Sequence, residues 1–412
     1  MRVRSAAVAV LAVVGLLATG CSGADQTEAD STATSEEASA PASASSEDGG
    51  TDTGELSRAV IEGYAEGVHA SYEASLASAT EMDAAIAAFI EDPNDETLQA
   101  AKDAWLTARD DYGPTEAFRF YGGPIDDEED GVEGLVNAWP LDEAYIDYVD
   151  GQPEAGIVND PEEYPEITAE VLTEANEQGG EANVSSGWHA IEFLLWGQDS
   201  SEDGAGERPA SDYTDADNAD RRATYLATAS DLLLVHLQGL VDAWAPDDGS
   251  NYRAEFVALP DDEALTMIAT GIGELSRGEL AGERMSVAYF DRSEENEHSC
   301  FSDNTTADIV ANAEGIRRVI AGEYPGGVDV TGFAELVGSQ DADLGDALIE
   351  DAEAAVAAAE AIPAPFDQHL RTDIPDDDPG RESVLAAIEV LEAQTDTIVT
   401  GADALGLAPA VS

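Results

Sequence analysis

Lysine is almost missing from this chain. Lys102 is the only one, and 17 Lys and Arg residues face 88 Asp and Glu, for a net charge of −71 over 412 residues. A surface this one-sided repels polyanions, which excludes nucleic acid and an anionic lipid face as charge-recognised partners. Cysteine is nearly as scarce, with only Cys21 and Cys300, so a disulfide framework is excluded. Strand-like alternation is nearly absent. The longest apolar run, Ala6 to Ala18, is too short for a comfortable membrane span. The excess acid itself reads as adaptation to high salt, where screening suppresses self-repulsion. It therefore does not mark a site.

What is present starts with a leader. Arg2 and Arg4 precede the apolar run, which ends in Ala18-Thr19-Gly20-Cys21. That is the pattern of a secretory signal over residues 1–20, with Cys21 positioned for lipidation. Acyl chains on Cys21 would anchor the protein to a membrane without spanning it. The expected location is the cell envelope, on the outer side of the cytoplasmic membrane, or the periplasm or outer membrane in a two-membrane organism. Residues 21–54 are Ser, Thr, Ala, Gly and acid, with no aromatic residue, and read as a disordered tether.

The remainder is patterned for helices. Leu56, Val60, Tyr64, Val68 and Tyr72 recur every four residues, and Leu98, Ala101, Trp105 and Ala108 continue a second stripe to Tyr112. Asp92 is a plausible N-cap before Pro93, with Asp95 and Glu96 in the first turn. Further helices are predicted over 187–196, 218–245, 262–276, 304–322, 343–361 and 380–404. The fold class expected is all-α, with two helical-bundle domains over 55–205 and 206–412, since the Gly- and Asp-bearing stretch from Gly197 to Asp217 reads as a boundary.

Three stretches combine aromatic and ionisable residues. The second, Gly187-Trp188-His189-Ala190-Ile191-Glu192-Phe193-Leu194-Leu195-Trp196-Gly197, puts His189 and Glu192 three apart, on one face of a helix. An imidazole and a carboxylate side by side in apolar surroundings suit a metal ion. They equally suit a hydrogen bond that satisfies two half-buried groups. The first stretch carries Phe118-Arg119-Phe120 and Asn137-Ala138-Trp139-Pro140-Leu141-Asp142-Glu143. The third carries Gly282-Glu283-Arg284 and then Glu297-His298-Ser299-Cys300-Phe301-Ser302-Asp303-Asn304. Glu116 lies three before Arg119, a spacing for an ion pair; Asp142 and Glu143 follow a proline and could cap a helix. Glu283-Arg284 suggests a buried ion pair. His236, in a Leu-rich run, reads as a satisfied core histidine, and His369 as a surface one.

The Gly-x-His-x-x-Glu of Gly187, His189 and Glu192, together with the other two motifs in their order, resembles the imelysin family, and most closely its iron-regulated envelope branch. The resemblance covers about residues 56–405. It implies two related α-helical bundles with the functional site in the cleft between them. It implies a metal site at His189 and Glu192, for which Glu116, Asp142, Glu283 and His298 are the further ligand candidates. Arg119, Trp139, Glu143, Trp188, Arg284 and Asp303 are the residues expected to line the cleft. One departure is visible: Thr306 stands where the resemblance implies a histidine.

Three functions follow as alternatives. The first is a membrane-anchored metal-binding lipoprotein concerned with iron, with zinc or copper also suited to the ligands, handing its ion to a permease or other envelope protein. The second is a metallopeptidase, with Glu283 or Asp142 as base. The third is a metal-free cleft for a small molecule or polysaccharide.

Overall fold

A computed structural model describes residues 49–201, 204–246 and 248–412. The expected signal, Cys21 and the tether up to residue 48 lie outside the described residues. Residues Glu47–Ser412 form one compact unit.

Eight long helices carry the described chain: α1 (Gly49–Glu91), α2 (Asp95–Tyr112), α3 (Gly187–Trp196), α4 (Ala219–Trp244), α5 (Asp261–Glu274), α6 (Thr305–Ala321), α7 (Ala342–Glu360) and α8 (Pro379–Ala404). Among the described residues the only strands are β1 (Glu323–Tyr324) and β2 (Val328–Asp329), paired antiparallel. The fold is all-α, as the periodicity predicts. Val60, Tyr64, Val68 and Tyr72 of α1, and Leu98, Ala101, Trp105, Ala108 and Tyr112 of α2, are all buried. No described helix is long and apolar enough to cross a membrane.

Helix starts follow side-chain chemistry. The cap of α2 is Asn94 and not Asp92. Asn94 Oδ1 accepts from the Glu96 and Thr97 amides at 3.0 and 3.1 Å, and Thr97 Oγ1 accepts from the Asn94 amide. This reciprocal box satisfies more orphan amides than an aspartate two residues earlier could. Asp378 caps α8, with Pro379 at its first position. α1 begins at Gly49, within the stretch expected as tether.

The apolar core resolves into two clusters. The larger takes residues from α1 to α5, on both sides of position 206. The smaller includes Leu280, Met285, Ala355, Phe366, Ile388 and Leu391. α6 serves both: Ile309 and Ala313 enter the smaller, Ile316 and Ile320 the larger. Its Asp308 and Asn312, four residues apart on one face, are buried polar groups. α5 runs on into a π-helical segment, Leu275–Val287, which delivers Arg284 to the same interior. Thirteen residues of π-helix is unusual, since such turns normally occur singly and at functional sites.

The 3-10 turn Gly113–Phe118 follows α2 directly and packs against α6. Gly315 of α6 makes that packing close: a Cβ there would sit 2.4 Å from the Pro114 carbonyl oxygen. Gly315→Ala must therefore push turn and helix apart. We expect a loss of about 1–3 kcal/mol in urea denaturation, in spite of alanine's better helix propensity. An unchanged or raised midpoint would contradict this packing.

Candidate metal centre

α3 is fixed at both ends before it presents any chemistry. Gly187 opens it at φ +84°, and a side chain there would strike the Val136 carbonyl. The Ser186 hydroxyl donates to the Leu135 carbonyl at 3.0 Å, and Tyr225 of α4 donates to the Ser185 carbonyl at 2.8 Å. At the far end Tyr213 donates to the Leu194 carbonyl, and the Arg208 amide to that of Trp196. Arg208 and Arg222 then share the buried carboxylate of Asp147.

From this helix His189 and Glu192 project together, as their spacing predicts. His189 Nδ1 lies 2.9 Å from Glu192 Oε2. Glu192 Oε1 accepts from both the amide and the hydroxyl of Ser302, at 2.9 and 2.7 Å. Burial is the main cause that pushes the Glu192 carboxyl up to about 8; the Ser302 donors work against it. Ser302 belongs to the loop Glu297–Asn304, so one carboxylate ties that loop to α3.

A second carboxylate organises the loop itself. Asp308 accepts from His298 Nδ1 at 2.9 Å, from the Ser299 hydroxyl at 2.5 Å and from Asn304 Nδ2 at 3.1 Å. Arg109 of α2 grips both its oxygens, Nε at 3.3 Å and Nη2 at 3.0 Å. Burial alone would raise this carboxyl, but the Arg109 charge and the His298 bond hold it well below the usual range. Asp308 is thus ionised, so His298 Nδ1 donates and His298 Nε2 keeps its lone pair.

The two imidazoles meet. Their ring centroids are 4.7 Å apart, inclined at 69°, and Trp139 stands edge-on to His298 at 5.2 Å. Both Nε2 atoms are buried and without a hydrogen-bond partner. Burial, then the nearby arginine charges, depress both rings to about 3. Both line one cleft with Trp139, Glu143, Glu297 and Cys300. Burial pushes the Cys300 thiol well up, so it is no ready nucleophile.

The other sequence candidates divide by their partners. Glu116 is not available as a ligand. It takes both Arg284 terminal nitrogens, with Nη1 at 2.9 Å, together with Arg119 at 3.1 Å and Asn312 at 3.2 Å. Those charges outweigh burial and hold its carboxyl far down. Its predicted pair with Arg119 is present, but the carboxylate partners of Arg284 are the buried Glu116 and the half-buried Glu279, while Glu283 stands exposed. Asp142 is exposed and caps the turn Glu143–Ile146. Trp188 is packed in the core against Trp105 and Tyr112. Asp303, at φ +59°, is pushed up to about 7 by burial and by the charges of Asp367 and Asp199. Thr306, where a histidine was implied, lines a different cavity with Pro114 and Val310. His236 is half-buried with Nε2 unpartnered, and His369 is buried, its Nε2 2.6 Å from the Pro363 carbonyl. Among the described residues, no three His, Cys, Asp or Glu side chains already surround one metal-sized point.

Sequence reasoning missed Arg109, Asp308, Asn137 and Asn312. Arg109 connects the two halves of the network, donating also to Asn137 Oδ1 at 2.7 Å. A signal existed for it: in a chain so poor in cations, an arginine one turn from Trp105 and Tyr112 on an apolar face has a buried counter-ion to meet. Its guanidinium does stack among Trp105, Tyr112 and Trp188. Asp308 carries no local signal, since it lies ten residues from His298.

The imelysin family profile matches residues 68–398. The chain is similar to iron-regulated protein A of Synechococcus elongatus, with 26% identity over 353 residues, covering 83% of this chain and 85% of that protein. A solved structure described as an iron-regulated protein A precursor, from Parabacteroides distasonis, superposes with a TM-score of 0.66 at 18% identity, covering 84% of this chain and 95% of that one. An imelysin-like protein from Psychrobacter arcticum gives 0.61 at 15%, covering 86% and 96%.

Asp308→Asn leaves Arg109 charged, buried and without its counter-ion. We expect it to cost about 3–5 kcal/mol in urea denaturation; a loss under about 1 kcal/mol would contradict the hub assigned to this carboxylate. The imidazoles give a second expectation. Folded, they stay neutral down to about 3, while unfolded histidines charge near 6.5. The unfolded chain therefore binds more protons in that window, and these two groups subtract stability as pH falls through it. In NMR titrations their C2–H resonances should hold still between pH 8 and 5. A midpoint near 6.5 for either ring would contradict the desolvation described.

Proposed function

The chain belongs to the imelysin family, and from that premise we propose that it is an iron-related metal-binding protein of the cell envelope, holding a divalent transition-metal ion on the facing imidazoles of His189 and His298. The observation that carries this reading is the pair of buried, unpartnered Nε2 atoms on rings 4.7 Å apart. A buried polar atom without a partner costs stability, and such atoms call for a ligand or a function.

The chemistry of the donors fits. Both rings are neutral at physiological pH, the form in which imidazole binds metal. Each has a carboxylate behind it at Nδ1, the arrangement that orients a metal-binding imidazole and raises its basicity. Glu192 accordingly acts as the support of His189; with both its oxygens engaged, it is not a ligand in its own right. Two imidazoles suit iron, zinc or copper, and water would complete the shell. The names of the Synechococcus and Parabacteroides relatives support iron. An acylated Cys21 would keep the site at the membrane, where a permease or other envelope protein could receive the ion.

Peptide hydrolysis has less support than binding. Hydrolysis at a metal needs an unencumbered general base beside it. The two bases that the sequence offered for it, Asp142 and Glu283, do not line the cleft, and Glu192 and Glu116 are both committed to other donors.

Titration of the purified chain with iron(II) or zinc, read by metal analysis after dialysis, tests the assignment. His189→Ala and His298→Ala should each abolish retention of one ion per chain. Glu192→Gln should weaken it about 10- to 100-fold as an outer-shell change. Equal metal content in wild type and both alanine variants would sink the proposal.

A further inference from the structure

The mouth of the same cleft has its own chemistry. Glu297 and Asp367 both line it, and they are 3% and 6% exposed. The Thr305 hydroxyl is the hydrogen-bond neighbour of the Glu297 carboxyl, and Asp367 Oδ1 has no partner. Asp367 Oδ2 has a long contact from Gln368 Nε2, at 3.3 Å, and the Gln368 amide also acts on this carboxyl. Asp199 and Glu294 line the cleft beside them. The charges of Asp199, Glu294, Asp303 and Asp367 act on one another across this space. Arg371, whose charge reaches Asp367 and Glu294, is itself paired with Asp373 at 3.1 Å. General acidity does not account for the cluster. Acids that serve a high-salt surface stand in solvent, whereas these two are enclosed and, among the described residues, make no ion pair, the costly condition for a carboxylate.

We propose that this mouth is a second cation site, for a hard divalent cation of the calcium class, built on Glu297 and Asp367 with Asp199 and Glu294 at its rim. The donors are all carboxylate oxygens, which select hard cations, in contrast to the imidazole nitrogens in the same cleft. Trp139, Pro140, Leu141 and Phe301 form apolar walls to the cleft. They thin the water around the carboxylates and strengthen their pull on a cation. Because the described side chains do not already converge on one point, water fills the remaining positions, as it does in many calcium sites. The site does not depend on the imidazole assignment: its ligands and its preferred ion are different.

The test is equilibrium dialysis of the full chain with radioactive calcium, in about 1 M NaCl to screen the outer surface. One saturable calcium per chain is expected. Asp367→Asn and Glu297→Gln should each weaken it about tenfold or more, since affinity follows the ligand charge count. Burial already pushes both carboxyls up and neither makes an ion pair among the described residues, so neither substitution should lower the Tm in calcium-free buffer, and either variant alone suffices if the other fails to fold. His189→Ala should keep calcium binding while losing zinc. That result separates the two sites, so either can fail alone. Absence of saturable calcium binding in wild type, or wild-type affinity in both carboxamide variants, would overturn the inference.

Discussion

The Asp308 carboxylate is the constraint on which the rest of the site depends. Buried on α6, it gathers an arginine from α2, a histidine and a serine from the 297–304 loop, and the asparagine that precedes its own helix. Each of these donors is needed to keep a charge in that interior. Because Asp308 stays ionised, it dictates the tautomer of His298, and the tautomer decides that Nε2 faces the cleft with a lone pair. Glu192 holds His189 at Nδ1 from the other wall, with Ser302 as its support; burial raises this carboxyl, so it must shed its proton before Nε2 of that ring offers a lone pair. Two carboxylates that would touch no ligand thus set up the two nitrogens that would.

Several of the chain's few cations lie inside the fold. Arg109, Arg208, Arg222 and Arg284 are all buried, each against one or more carboxylates. A surface that is almost entirely acidic therefore coexists with an interior whose charges are matched. Unpartnered buried atoms occur in several places, but the two Nε2 atoms and Asp367 Oδ1 fall along a single cleft. That convergence of imidazole and carboxyl groups on one cleft is a stronger pointer to function than the total acidity.

Much of this was legible in the sequence, and the reason it was legible is periodicity. The stripes from Val60 to Tyr72 and from Leu98 to Tyr112 need only the 3.6-residue repeat, and α3 appears over the predicted residues 187–196. The His189–Glu192 contact is also local, an i,i+3 pair. What the sequence could not order was the roles. Glu116 looked like a ligand because its partner Arg284 lies 168 positions away. Glu192 looked like a ligand because Ser302 lies 110 positions away. Asp308 went unnoticed because Arg109 is 199 positions distant. A carboxylate's role is decided by its donors, and here the donors come from other helices.

The central claim is that a metal ion here meets imidazole nitrogen, with the carboxylates of Glu192 and Asp308 behind the rings. X-ray absorption spectroscopy on the zinc-loaded chain tests it most directly. The account predicts nitrogen neighbours at about 2.0–2.1 Å, with the outer-shell scattering of two imidazole rings. A first shell of oxygen alone, with no imidazole scattering, would contradict it.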